Sequence, residues 1–198
     1  MSAAPYYSDE WVTLYHGDCR DVDAWLEADV LVTDPPYGVS YKSRDGRTVA
    51  NDHDFTTAEA GLGQWTQDVA IFANHASLDR TLRLAGLHER TVRVATWHKT
   101  NVNGGAPGNP WLSDVEFAAC GVNRMPKLVR SGVIRSRRTT GNPAWQSDPD
   151  AYLHPTQKPV PVMEAVIHLM VPGTVADPFA GSGSTLVAAK RLGRKAIG

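Results

Sequence analysis

The sequence predicts an α/β fold, and three observations carry that prediction. Short apolar runs alternate with helical patterns along the chain. The run Asp29-Val30-Leu31-Val32-Thr33 ends in Asp34-Pro35-Pro36-Tyr37, which puts four unusual residues at a strand's carboxyl edge, where open α/β sheets bind ligands. Thr174-Val175-Ala176-Asp177 leads through Pro178, Phe179, Gly181, Ser182 and Gly183 into a helical pattern from Ser184 and Thr185, which is a strand, a glycine turn and a helix in succession. At 198 residues the chain is long enough for one sizeable domain.

Taken in order, Trp11 to Tyr15 alternates like a strand, Val22 to Glu27 fits a short helix, and Val30 to Thr33 is the apolar strand before the two prolines. Gly38 to His53 is polar and contains Gly46 and Asn51, hence a loop. Thr56-Thr57-Ala58-Glu59 reads as a capping box, with Leu62, Trp65, Val69 and Phe72 following at helical spacing despite Gly61 and Gly63. Thr91 to Trp97 alternates like a strand, and Asn101 to Pro110 is a Gly/Asn/Pro loop. Val162, Met163, Val166, Ile167, Leu169 and Met170 form a helix face after Pro159 and Pro161, closed by Pro172-Gly173. The last helix runs through Leu186, Val187, Ala188, Ala189 and Leu192, with Lys190 and Arg191 in its final turn and Gly193 ending it. No internal repeat is present, and the histidines and the two cysteines fit no metal spacing.

Asp34-Pro35-Pro36-Tyr37 offers acceptors rather than donors. Two prolines remove two N–H groups, so the carbonyls of Asp34 and Pro35 face no competing amides. A carboxylate oxygen plus a carbonyl beside an aromatic ring suits a flat ring bearing an exocyclic amine, which describes adenine or cytosine. The plainer reading is a strand end followed by a turn, a common use of proline. Gly181-Ser182-Gly183 ahead of a helix lets backbone approach a nucleotide-like ligand and aims N–H groups at its anionic part. It lacks the third glycine of the dinucleotide pattern and the lysine of the phosphate-binding loop.

Four segments together resemble the amino-group DNA methyltransferases that use S-adenosylmethionine, in the β-type order that sets the catalytic motif ahead of the cofactor motif. They are His16-Gly17-Asp18-Cys19, Asp34-Pro35-Pro36-Tyr37-Gly38, His154-Pro155-Thr156-Gln157-Lys158-Pro159, and Asp177 to Thr185. The resemblance implies a Rossmann-like methyltransferase sheet with helices on both faces and a circularly permuted motif order. It implies Asp34, Pro35, Pro36 and Tyr37 as the catalytic tetrad. It places Asp177, Pro178, Phe179, Gly181, Ser182, Gly183 and Thr185 in the cofactor loop, Asp18 and Cys19 near the cofactor's adenine, and Thr156 and Lys158 near its methionine end, with Asp34 bordering the cofactor too. S-adenosylmethionine is the implied cofactor and DNA the implied partner, in methylation of the restriction-modification kind.

A formal net charge of −1 does not advertise nucleic acid, but its distribution does. From Phe117 to Ser147 no acidic residue occurs, while Arg124, Lys127, Arg130, Arg135, Arg137 and Arg138 all fall inside. Phosphate backbone is the natural partner of such a patch, although a solvated basic loop has the same composition. With the motifs, residues 117 to about 150 become a DNA-recognition insertion in a single domain spanning residues 1 to 198. Lys42, Arg44 and Arg47, just after the tetrad, are further candidates for phosphate contact, with a solvated loop as the equal alternative. Cys19 and Cys120 imply a reducing, cytoplasmic setting. Neither follows a proline, as the thiolate of a cytosine carbon-5 enzyme would, so transfer is expected to go directly to nitrogen. The polar N-terminus has no signal-peptide pattern and no run is long enough for a membrane span. Monomer and homodimer both remain open.

The expected chemistry is positional. An exocyclic amine is a poor nucleophile because its lone pair is delocalised, and accepting both N–H bonds at Asp34 and the Pro35 carbonyl aims that pair at the methyl group. The base must first be flipped from the duplex. Asp at the first tetrad position goes, in the family, mostly with adenine N6, while Ser goes mostly with cytosine N4. Nucleotide-binding units also hold ribose hydroxyls with an acid about 20 residues past the glycine turn, and the chain stops at Gly198 before that position. Weak cofactor binding is therefore expected, and a non-catalytic DNA-binding relative is the alternative. A methyltransferase acting on protein side-chain amides is a third possibility that the basic segment disfavours.

Overall fold

The computed structural model describes residues 4–38, 48, 55–100, 114–123, 131–137 and 157–198. Among them the strands are β1 (Tyr7–Ser8), β2 (Val12–Leu14), β3 (Val30–Thr33), β4 (Asp68–Ala73), β5 (Thr91–Lys99), β6 (Val115–Val122), β7 (Val133–Ser136), β8 (Val175–Ala176) and β9 (Ala196–Ile197). The helices are α1 (Thr56–Leu62), α2 (Leu78–Ala85), α3 (Val160–Leu169) and α4 (Ser184–Arg191). One sheet takes the order β1-β2-β9-β8-β3-β4-β6-β5-β7. From β2 to β4 all neighbours are parallel. β6 runs antiparallel to both β4 and β5.

Strand alternation sorts the core into two layers. Val30, Val32, Ala70, Phe72, Ala118 and Val175 point to one face, where α3 and α4 supply Val162, Met163, Val166, Ile167, Ala188 and Ala189. Leu31, Val69, Ile71, Ala119 and Ala176 point to the other, against Ala58 and Leu62 of α1 and Leu84 and Ala85 of α2. Consecutive residues of β3 therefore serve opposite layers, which is the period of a strand buried on both sides. Each large side chain shut away from water contributes about 1.5–3 kcal/mol. The α/β sheet with helices on both faces is thus the fold that the sequence predicted. The permuted order is visible too: β8, late in the chain, lies directly beside β3. Close packing between layers fixes one glycine, because a Cβ on Gly121 of β6 would stand 2.0 Å from the Ala85 carbonyl oxygen of α2.

Several local expectations shift. Leu62 is the last residue of α1, but Trp65 lies beyond the helix and Val69 and Phe72 belong to β4. A segment already flanked by the partners β3 and β6 gains a full ladder of hydrogen bonds by extending, and that outweighs a helical spacing interrupted by Gly61 and Gly63. The expected cap moves inside the helix: α1 starts at Thr56, and the residue before it is the buried Phe55, which gives no side-chain cap. The expected helix at Val22 to Glu27 is a single 3-10 turn, Ala24–Glu27. Of residues 117 to 150, Phe117–Val122 lie in the interior strand β6 and Val133–Ser136 form the edge strand β7, so the segment supplies the sheet before anything else. The expected loop at Asn101 to Pro110 lies outside the described residues, as does most of Gly38 to His53. No helix among the described residues is long and apolar enough to cross a membrane.

Candidate active site

Asp34 leaves the sheet at the carboxyl end of β3, one residue past Thr33, and its carboxylate is held on both oxygens. The Tyr37 hydroxyl donates to Oδ1 at 2.6 Å. Lys158 Nζ donates to Oδ2 at 2.5 Å. The same ammonium lies 3.2 Å from the Tyr37 hydroxyl oxygen and 3.1 Å from Glu116 Oε2, and it stands over the Tyr37 and Phe72 rings at 5.5 and 5.3 Å. Lys99 Nζ closes the row at 2.6 Å from Glu116 Oε1. A charged ladder thus runs Lys99, Glu116, Lys158, Asp34, ending on the phenol of Tyr37.

The positions follow from the sheet. Phe72 of β4 faces Ala118 of β6, and Glu116, two residues back along β6, faces Trp97 of β5. Phe72, Ala118 and Trp97 all belong to the layer covered by α3. Glu116 stands on that same side because residues two apart on a strand share a face. Lys158 reaches the layer from the segment that enters α3, where Pro159 is the N-cap and Pro161 lies in the first turn. Lys158 and Glu116 are only 7% and 18% exposed, too little for water to solvate two charges, so each depends on the other. Burial alone would lower the Lys158 ammonium, but the Asp34 and Glu116 carboxylates outweigh it and hold its pKa above the usual lysine value. Burial alone would likewise raise Glu116, yet Lys158 and Lys99 keep its carboxyl below the usual range. Both shifts keep the pair ionised.

The second cluster organises the glycine turn. Asp177 is buried, and its Oδ1 accepts from the Thr33 hydroxyl at 2.6 Å and from the Phe179 N–H at 3.1 Å. The Thr185 hydroxyl is bonded to the same carboxyl. The carboxylate is therefore spent on the protein's own donors and ties the end of β3 to the turn after β8. Burial is the main reason its pKa rises to about 6. Gly181 and Gly183 both take positive φ, +52° and +81°, which glycine adopts without the Cβ penalty. Gly183 is the N-cap of α4, and a Cβ added there would meet nothing within 4 Å. The turn is open on its outer side.

Asp18 and Cys19 stand apart from these clusters. Asp18 is gripped by Arg20, whose Nε and Nη2 donate at 2.9 and 2.6 Å; that bonding holds its carboxyl near about 2. The Cys19 carbonyl accepts from the Trp25 indole at 2.9 Å, and burial raises the Cys19 thiol. Ser182 and Ser184 hydroxyls are 3.3 Å apart within the turn, and Phe179 packs on the layer that holds α1 and α2. Arg135 and Arg137 are exposed on and just after β7, where Ser136 pairs with Lys99, so this basic strand adjoins the charged ladder. Thr156, Lys42, Arg44, Arg47, Arg124, Lys127, Arg130 and Arg138 lie outside the described residues. The sequence reading missed Glu116 and Lys99. The available signal was a lone acid in the apolar run Val115 to Val122, since a charge in an interior strand requires a partner.

This arrangement can be set beside known proteins. The family model for DNA methylases, the N6/N4 group, matches residues 85–198. The chain belongs to this family. The methylase is 48% identical to the type II methyltransferase M2.LlaDCHI of Lactococcus lactis subsp. cremoris, over all of this chain and 87% of that protein. It is 44% identical to the type II methyltransferase M2.DpnII of Streptococcus pneumoniae, over all of this chain and 88% of that protein. Among solved structures, the M1.HpyAVI complex with S-adenosylmethionine superposes with a TM-score of 0.65 at 21% identity, covering 94% of this chain and 91% of that one. The cytosine-N4-specific PvuII DNA methyltransferase superposes with a TM-score of 0.70 at 15% identity, covering 98% and 83%. These structural likenesses show that the methylase shares their fold.

Proposed function

We propose that this methylase transfers a methyl group from S-adenosylmethionine to the exocyclic amine of a DNA base turned out of the duplex, with adenine N6 as the acceptor. The observation that carries the reading is the Asp34 carboxylate at the carboxyl edge of β3, beside β8 and its open glycine turn. The turn fits the cofactor: the space outside Gly183 is open, and Asp177 fixes the backbone beside it. Phe179, Gly181, Ser182 and Gly183 would border the cofactor there, with Thr185 and Asp177 holding the turn from behind. When bound, the cofactor would supply an electrophilic methyl group on a sulfonium sulfur, which keeps the carbon–sulfur electron pair as the amine lone pair takes the methyl, and solvent would take the proton that the nitrogen loses.

The chain's own part is positional. A carboxylate oxygen of Asp34 accepts one amine hydrogen, which localises the nitrogen lone pair. The Lys158 ammonium stands beside that carboxylate, 2.5 Å from Oδ2. Tyr37 lies next to that carboxylate and supplies a ring against which a flipped base can stack. Asp rather than Ser at position 34 favours adenine by the family pattern. The exposed Arg135 and Arg137 supply phosphate contacts near the site.

Unmethylated plasmid DNA incubated with the protein and S-adenosylmethionine, then digested to nucleosides and separated by mass, tests the reading. N6-methyladenine is the expected product. N4-methylcytosine without N6-methyladenine would overturn the base assignment, and no methylated nucleoside would overturn the activity.

A further inference from the structure

A target amine approaching Asp34 Oδ2 competes with Lys158 Nζ, which donates to that oxygen at 2.5 Å, and the structure shows where the ammonium would go. Lys158 Nζ already lies 3.1 Å from Glu116 Oε2. That oxygen is shut off from solvent, and the Lys158 ammonium is the charge that compensates it. Oε1 is meanwhile fixed by Lys99 at 2.6 Å, and the Glu116 backbone is locked in β6 opposite Trp97.

We infer that Glu116 is a positioning residue that takes over the Lys158 ammonium when the target amine claims Asp34. The inference rests on the reading of Asp34 as the amine acceptor. A shift of the flexible lysine head keeps it paired throughout, because Glu116 and Asp34 flank it from the start. Without the Glu116 charge, release from Asp34 would strand an ammonium in a low-dielectric layer, and strongly unfavourable burial would pin Lys158 where it is. The competent fraction of Asp34 would then fall, and the rate would fall with it. Cofactor affinity would not, since the glycine turn is built by Asp177 and Thr185 rather than by this row.

The test compares wild type, Glu116→Gln and Glu116→Asp for kcat on unmethylated plasmid DNA, with S-adenosylmethionine affinity measured by calorimetry and the folded fraction by circular dichroism. Glu116→Gln is expected to lower kcat at least about tenfold with cofactor Kd within about twofold, the pattern of an interaction removed after binding. Glu116→Asp, which keeps the charge but withdraws it, is expected to lie between the two and covers the case in which the Gln variant fails to fold. An unchanged kcat in either folded variant, or a loss matched by an equal loss of cofactor affinity, would overturn the inference. Wild type that transfers while Asp34→Ala does not keeps the Asp34 reading in place whichever way Glu116 falls. Wild type that transfers nothing overturns that reading and this inference with it.

Discussion

Replacing Asp177 with Asn should shift stability relative to wild type in favour of the variant as pH rises from acid to neutral. The Asp177 carboxyl is raised from an ordinary 3.8 to about 6, chiefly by burial, with the hydroxyls of Thr185 and Thr33 and the Phe179 N–H opposing the rise. The folded protein therefore holds this proton more tightly than the unfolded chain does. Its contribution is fully present below about pH 4 and is lost as pH climbs through about 6, because stability falls with pH wherever the folded state binds more protons. A rise from 3.8 to about 6 is a differential of about 3 kcal/mol at about 1.36 kcal/mol per pH unit. Asn is neutral at every pH and removes that slope. Urea unfolding of both proteins at constant ionic strength, from about pH 4 to about pH 7, should show the stability difference moving by about 3 kcal/mol in favour of the Asn variant. That corresponds to about 2–4 °C of melting temperature per kcal/mol for a domain of this size. A difference that stays flat across the range would refute the reasoning, since the carboxylate would then be ionised in the fold at no cost.

Asp34→Ala is expected to abolish transfer of labelled methyl groups to DNA while cofactor affinity stays within a few-fold by calorimetry; residual transfer near the wild-type rate would remove Asp34 from the chemistry. Converting Arg135 and Arg137 together to Ala should weaken DNA binding and flatten its salt dependence by up to ~0.9 log unit for each phosphate left unneutralised, read from fluorescence anisotropy across a salt series. Arg90 is buried and donates to the carbonyls of Ala85, Trp65, Gln67 and Leu84 at 2.8–3.2 Å. Arg90→Met leaves those acceptors without their donor and should cost about 3 kcal/mol or more in denaturant unfolding, with no change in how the turn after β8 binds cofactor once folded.

What the sequence determined by itself is local chemistry. Asp34-Pro35-Pro36-Tyr37 and the turn at Gly181 and Gly183 were legible because proline and glycine restrict the backbone wherever they occur. Their flanking elements β3, β8 and α4 followed from apolar runs short or periodic enough to leave one reading, and the basic composition around Arg135 and Arg137 needed only counting. Tertiary structure decided the remainder. Val69 and Phe72 sit at helical spacing from Leu62, yet become strand because β3 and β6 lie on either side with ladders to complete. Glu116 and Lys158 carry no local signal of one another; the sheet order, which brings β6 next to β4 and α3 across the face they share, makes them a pair. A lysine that resemblance placed near the cofactor is found on the Asp34 carboxylate. The physical reason is common to all three cases. Backbone preference acts over a few residues and can be read along the chain, whereas the cost of burying a charge or leaving a strand edge unpaired depends on neighbours that only the folded sheet supplies.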